Sequence, residues 1–277
     1  MKFWPQKLWL RYNPESNAPL KLVISNAAKS YENASQKQVA ALKPVLLEIN
    51  EGEFVVFVGP SGCGKTTLLN LIAGFVEPTS GEILLDGKPV AGPGRDRLMM
   101  FQEHALFPWL NVIDNVSYGL RRNWLRPSAR KEKARLFLRM VHLEKFEKAG
   151  IHELSGGMKQ RAALARALAP DPSVLLIDEP FNALDAMVKF ELYLELQRIH
   201  QETRKTIIFV THHMQEAACL GDRIVVFSGS PGRVTHELKI DLPRPRDFND
   251  AKVMAFATQL MANLKQDNED TRHENRA

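Results

Sequence analysis

Gly59, Gly64, Lys65 and Thr66 stand in the spacing Gly-x-x-x-x-Gly-Lys-Thr within VGPSGCGKTTLL, Val58 to Leu69. Those residue types at that spacing suit a polyphosphate. Successive backbone N–H groups wrap the phosphates, the lysine ammonium reaches the outer ones, and the threonine hydroxyl binds Mg2+. Glycines keep side chains from blocking the approach. The run Gly59, Pro60, Ser61, Gly62, Cys63, Gly64, Lys65, Thr66 and Thr67 therefore reads as a nucleotide-binding loop.

Two further groups have chemistry to offer. In VLLIDEP, Asp178 and Glu179 close an apolar run. The first carboxylate can serve a Mg2+ water shell and the second can address an attacking water. In LSGGMKQRAALARAL, Ser155, Gly156 and Gly157 open an alanine-rich helix and leave N–H groups unblocked at its positive end, a second place for an anion. A Ser-capped helix start would need the serine alone, so two glycines in the first turn cost stability without an evident local return.

Positioning these groups calls for strands and helices in alternation. EFVVFVG before the loop is an apolar run of buried-strand length, and KTTLLNLIAGF after it reads as a helix. EILLDG, SVLLIDEP, TIIFVTH and RIVVFSG repeat the strand pattern, several of them separated by helix-length stretches. That rhythm predicts an α/β sandwich around a largely parallel sheet. Between MMFQE and SVLLIDEP the residues are mostly helix formers, which predicts an inserted helical lobe over about 103–168.

The 277 residues carry a formal charge of +5, too mild to argue for nucleic acid and equally compatible with a nucleotide or an anionic membrane surface. The two cysteines, Cys63 and Cys219, support neither a disulfide framework nor a zinc cluster. No apolar run reaches the roughly 20 residues of a membrane span, and the first residues lack the apolar stretch of a signal peptide. A soluble, cytoplasmic chain is expected. Residues 1–20 mix Phe3, Trp4, Leu8 and Trp9 with basic residues, which fits either a loosely ordered extension or a membrane-interface segment. The core is expected over 21–243. Residues 244–277 are expected as a helix and a polar tail, KQDNEDTRHENRA being polar enough for disorder.

LSGGMKQR, lying between the glycine-rich loop and the Asp178–Glu179 strand, resembles the signature motif of ATP-binding cassette (ABC) proteins. Other pieces resemble that family in the same order. Tyr31 sits where an aromatic stacks on adenine, Gln102 in MMFQE resembles the Q-loop glutamine, NALD (Asn182 to Asp185) resembles the D-loop, and His212 resembles the switch histidine. The resemblance implies a P-loop NTPase with a RecA-like core sheet, an antiparallel β subdomain and an inserted helical subdomain. It implies ATP and Mg2+, with Thr66, Gln102 and Asp178 serving the metal, Glu179 polarising water, and His212 contacting the γ-phosphate. It also implies a head-to-tail homodimer, in which Ser155, Gly156, Gly157 and Gln160 face the partner's ATP, and it places Asp185 in the D-loop.

LFPWLNVIDNVSYGL, EPFNALD, SPGRV and LPRPRD are similar to the ATPase subunits of nitrate, sulfonate and taurine importers. That similarity implies separate transmembrane permease subunits, an external solute-binding protein acting through them, a place on the inner face of the membrane, and no nucleic acid partner. Phe107, Pro108, Trp109 and Leu110 would then offer an apolar docking surface, or would belong to the core of the helical lobe. A repair or translation ABC ATPase would share every catalytic motif. The chain departs from the family at His213, where an acid is usual, and at Asn182, where Gly or Ser is usual.

Overall fold

In the computed structural model, described residues are 19–274 with the exception of 34, 102–104, 124 and 183. The expected N-terminal extension thus lies almost wholly outside them, and Leu20 already belongs to a strand. Two long strands, β1 (Leu20–Glu32) and β2 (Gln38–Asn50), pair antiparallel. Next come β3 (Phe54–Val58), α1 (Lys65–Ala73), β4 (Ser80–Leu85), β5 (Lys88–Pro89) and β6 (Arg97–Met100). The helix-rich stretch holds α2 (Val112–Ser117), α3 (Pro127–Met140) and α4 (Gly156–Leu168). After it come β7 (Val174–Asp178), α5 (Ala186–Thr203), β8 (Thr206–Thr211), α6 (Met214–Leu220), β9 (Arg223–Ser228), β10 (Arg233–Lys239) and α7 (Ala251–Glu274).

The strands form two sheets. One is antiparallel, in the order β2-β1-β4-β5, and the other has the order β10-β9-β3-β8-β7-β6. In the second, every neighbouring pair is parallel except β10 with β9 at the edge. All five residues of β3 are buried, and so are those of β7 and β8, which is why these segments read as unbroken apolar runs.

Alternation along β3 assigns its side chains to two cores. Phe54, Val56 and Val58 pack with the interiors of α4, α5 and α6, whereas Val55 and Phe57 pack with α1 and the antiparallel sheet. Burial of each such side chain contributes about 1.5–3 kcal/mol. The loop that follows β3 is therefore anchored from above and below.

At the far end the structure departs from the expected disordered tail. α7 runs through Glu274, so the helix takes in most of the polar stretch. Val253, Ala257 and Leu260, spaced i, i+4, i+7, are buried and anchor it. Beyond that stripe the sequence is rich in Lys, Gln, Glu and Arg, residue types that favour a helix. The approach to α7 is fastened by Arg246, 4% exposed, whose guanidinium donates to the Ala218 (3.1 Å), Cys219 (3.5 Å) and Gly221 carbonyls at the C-terminal end of α6.

Candidate active site

β3 ends at Val58 and α1 begins at Lys65, so Gly59–Gly64 is the turn between them. Gly59 has φ +156°, and a Cβ there would lie 2.3 Å from the Phe227 carbonyl oxygen of β9. Gly62 has φ +81° with nothing within 4 Å of a Cβ, so its demand is for left-handed backbone rather than for room. No side chain caps α1. Its first-turn N–H groups form an anion-binding end.

Lys65 is placed differently from the ammonium, exposed to phosphate, that the motif suggests. It is 4% exposed and donates to the Gly59 and Pro60 carbonyls, both at 2.8 Å, with Cys63 Sγ at 3.8 Å. The charge is parked on the loop's own carbonyls. Cys63 is buried beneath the loop, and burial pushes its thiol up despite the opposing Lys65 charge, which leaves it an inert filler.

Thr66, at the solvent-facing side of the same turn, donates from Oγ1 to Asp178 Oδ1 at 3.1 Å. Asp178 closes β7, three strands from the sheet's β9 side, and burial holds its carboxyl above the usual carboxylate range. The neighbouring Glu179 charge adds to that rise, while Thr66 and Lys65 oppose it. A hydroxyl beside a carboxylate oxygen is the donor chemistry a hard divalent cation takes, with water or phosphate completing the shell. Among the described residues no group of three His, Cys, Asp or Glu side chains is placed to hold a metal by itself.

Glu179 leaves the strand at φ +41°, a left-handed position for a non-glycine residue, while its N–H donates to Val210 of β8 at 3.0 Å. Its Oε2 receives two donors, Asn182 Nδ2 at 2.6 Å and His212 Nδ1 at 3.1 Å. The carboxylate only accepts, so His212 carries its proton on Nδ1 in this arrangement. The His213 ring lies tilted against that of His212 with centroids 4.0 Å apart, and His213 precedes α6 without capping it. Partial desolvation of its ring holds it below its ordinary value, although Glu216 pulls the other way.

On the signature segment, Ser155 caps α4, its Oγ accepting from Met158 N–H at 3.3 Å. Gly157 has a packing reason that the sequence hides: a Cβ there would lie 2.4 Å from Val188 Cγ1, so α5 can approach only a glycine. Gly156 is less confined, 3.2 Å from Leu184 Cδ2. Gln160 is not where a partner's nucleotide could reach it. It is fully buried and donates from Nε2 to the Pro180 carbonyl of its own chain. Asp185 caps α5 by accepting from Val188 N–H at 3.0 Å.

Tyr31 stands 41% exposed near the end of β1, with Lys29 Nζ 5.2 Å above its ring. It pairs with Val39, two residues before Ala41 of β2, and the Ala41–Leu42 segment lies against Gly64 of the loop. Gln102 lies outside the described residues.

Trp109 is 76% exposed, so it is not part of the helical core. Asn115, which no motif singles out, holds the loop beneath it. Buried entirely, Asn115 accepts from Phe107 N–H at 2.8 Å and donates to the Phe107, Leu110 and Asn111 carbonyls at 3.1, 3.2 and 3.1 Å. In the sequence it is one of three polar residues in NVIDNV, with nothing to mark it as the buried one. Arg166 adds a 2.7 Å bond to the Ala105 carbonyl and lies over the Phe107 ring.

Residues 42–182, about half of the chain, match the family model described as ABC transporter. Over 246 residues the chain is 47% identical to an uncharacterized ABC transporter ATP-binding protein of Methanocaldococcus jannaschii, covering 89% of this chain and 92% of that one. Over 206 residues it is 48% identical to the taurine import ATP-binding protein TauB of Burkholderia pseudomallei, covering 74% and 79% respectively. A solved dimeric bacterial ABC transporter cassette matches with a TM-score of 0.71 at 34% identity, covering 80% of this chain and 100% of that one. The same cassette in a post-hydrolysis state bound to ADP and Pi gives 0.70. Likeness in sequence over most of the chain and in fold over four-fifths of it leads to one assignment: the chain belongs to the ABC transporter family of ATP-binding cassettes and is an ATPase.

Proposed function

We propose that this ABC ATPase energises an importer of small anions of the taurine, sulfonate or nitrate kind, working as a pair of copies on the inner face of the membrane beneath separate permease subunits. The observation that carries the import reading is the 48% identity to proteins named as taurine import ATPases. Among the described residues no helix is long and apolar enough to cross a membrane, which supports reliance on separate membrane subunits. Phosphoryl transfer to water asks mainly for positioning and charge neutralisation. The α1 N–H groups and Lys65 would hold the β- and γ-phosphates, Lys65 exchanging its loop carbonyls for phosphate oxygens. Thr66 and Asp178 would hold Mg2+, which neutralises phosphate charge when bound. Glu179 polarises the attacking water, and His212 lies at the same carboxylate from which it can sense the γ-phosphate. Tyr31 would stack on the adenine, and Ser155, Gly156 and the α4 N-terminus would face the nucleotide of a second copy, with Asp185 at the junction.

The exposed Trp109, on a loop fastened by Asn115, supports a docking surface for the permease. Trp109→Glu tests this. Basal ATPase of the isolated chain should stay within about twofold, while uptake of taurine by the reconstituted complex should fall at least about tenfold, because a charge enters an apolar contact. Retained uptake would remove Trp109 from the coupling surface. Uptake of none of taurine, alkanesulfonates or nitrate by the wild-type complex would overturn the proposed cargo.

A further inference from the structure

We propose that Asn182 is a positioning residue for ATP hydrolysis: it locks one oxygen of Glu179 so that the other is presented to water. The inference rests on Glu179 being the group that polarises that water. The Asn182 Nδ2 to Glu179 Oε2 distance is 2.6 Å. With the amide turned over, two acceptors would meet at that distance, so the NH2 group faces the carboxylate. His212 Nδ1 reaches the same oxygen at 3.1 Å. Both donors converge on Oε2, and among the described residues neither Oε1 nor any donor near it takes part.

The support behind Asn182 is stiff. The turn it sits on is gripped on one side by fully buried Gln160, which donates to the Pro180 carbonyl. On the other side Phe181 is 3% exposed, with its ring 5.5 Å from that of Tyr193 and 5.8 Å from that of Phe209. A donor on such a turn loses little freedom when it bonds, so it constrains the acceptor rather than following it. The two donors also come from different elements, Asn182 from the turn after β7 and His212 from the end of β8. If His212 turns to phosphate it gives up this bond, whereas the Asn182 amide on its gripped turn keeps its own bond to Glu179.

Steady-state and single-turnover ATPase of the full-length chain test this. Asn182→Ala should lower kcat about tenfold with KM for ATP changed less than about twofold. Asn182→Asp, the same shape with the donor replaced by a negative charge, should lower it at least as far, and Asn182→Gln, which keeps the amide, should recover part of the loss. In a Glu179→Ala background, Asn182→Ala should cause no further fall, since no acceptor remains for it to orient. Unchanged kcat in both Asn182→Ala and Asn182→Asp would overturn the proposal. An equal fall with and without Glu179 would also overturn it, by making Asn182 a purely structural residue. Should Asn182→Ala fail to fold, Asn182→Asp carries the same comparison. Wild-type turnover in Glu179→Ala itself would instead remove Glu179 as the polarising group, an outcome that the single variant identifies separately.

Discussion

Lys65 holds the loop through its carbonyls and is the cation meant for phosphate, and it cannot do both with one ammonium. Its two 2.8 Å bonds to Gly59 and Pro60 fold the loop on itself, and a polyphosphate oxygen is a stronger acceptor than a carbonyl. Lys65→Ala should weaken ATP binding by about 10- to 100-fold, the range of one to two lost charge-assisted bonds, with the far-UV spectrum unchanged. A nucleotide titration giving wild-type affinity would exclude Lys65 from the phosphate site. At this scale the sequence carries the chemistry well, because Lys65, Thr66, Asp178 and Glu179 are residue types selected by what they touch. It carries packing poorly. Gly157 looks free for an anion in LSGG, yet a Cβ there would strike Val188 on another helix. Gln160 lies one helical turn further on and is buried against Pro180. Neither contact is local, so neither leaves a pattern in the sequence.

Elements follow the same division. Strands buried on both faces announce themselves as VVFV or VLLI, and the helix formers after Met100 announce α3 and α4. α7 announces itself only in its first half, where Val253, Ala257 and Leu260 form the docking stripe with Phe256 packed beside it, while the residues after Leu264 are polar. One element also carries a pH dependence. His200 of α5 is 3% exposed, donates from Nε2 to the Gly52 carbonyl at 3.0 Å and lies edge-on to Phe54. Burial, reinforced by the Arg244 charge, holds its imidazole below its ordinary value. The unfolded chain takes up this proton near pH 6.5 whereas the folded chain resists it, so the unfolded state binds more protons just below that pH. Stability contributed by neutral His200 is therefore complete above about pH 6.5 and is lost as pH falls below it. His200→Gln should be less stable at pH 7.5, from imperfect packing, but should lose less on going to pH 5.5. Parallel urea midpoints for the two proteins at both pH values decide it, and equal losses would refute the His200 account.

For the whole molecule, the decisive question is whether ATP joins two copies. The exposed Ser155–Gly156 corner and the α1 loop are each open on a single chain, and a 34% identical cassette has been solved as a dimer. Glu179→Gln keeps size and reach but loses basicity, so hydrolysis should drop at least about 100-fold while binding persists. The trapped nucleotide should then hold a dimer together with ATP and not with ADP, and Ser155→Arg added to it should abolish the dimer. Light scattering with ATP, with ADP and without nucleotide reads all three states. A monomer throughout, in the isolated chain and in the assembled complex, would refute the nucleotide-bridged pair. Whole-molecule order was legible as far as motif succession reaches, because each motif is short and self-contained. The order of strands within the sheet was not, since it depends on which distant strands flank β3.

Those flanking strands also set a timetable for synthesis. β3 emerges early, but its two neighbours, β8 and β9, lie far along the chain, and a Cβ at Gly232 would press to 2.0 Å of the Cys63 carbonyl beneath the loop. A nascent chain that has released the glycine-rich segment still has neither wall nor floor for it. At the usual pace of translation, on the order of ten seconds pass before they arrive. Through that interval VVFV is an unpaired apolar edge on the ribosome, exposed to chaperones and to its own copies on neighbouring ribosomes, and ATP can begin to bind only when the chain is nearly finished.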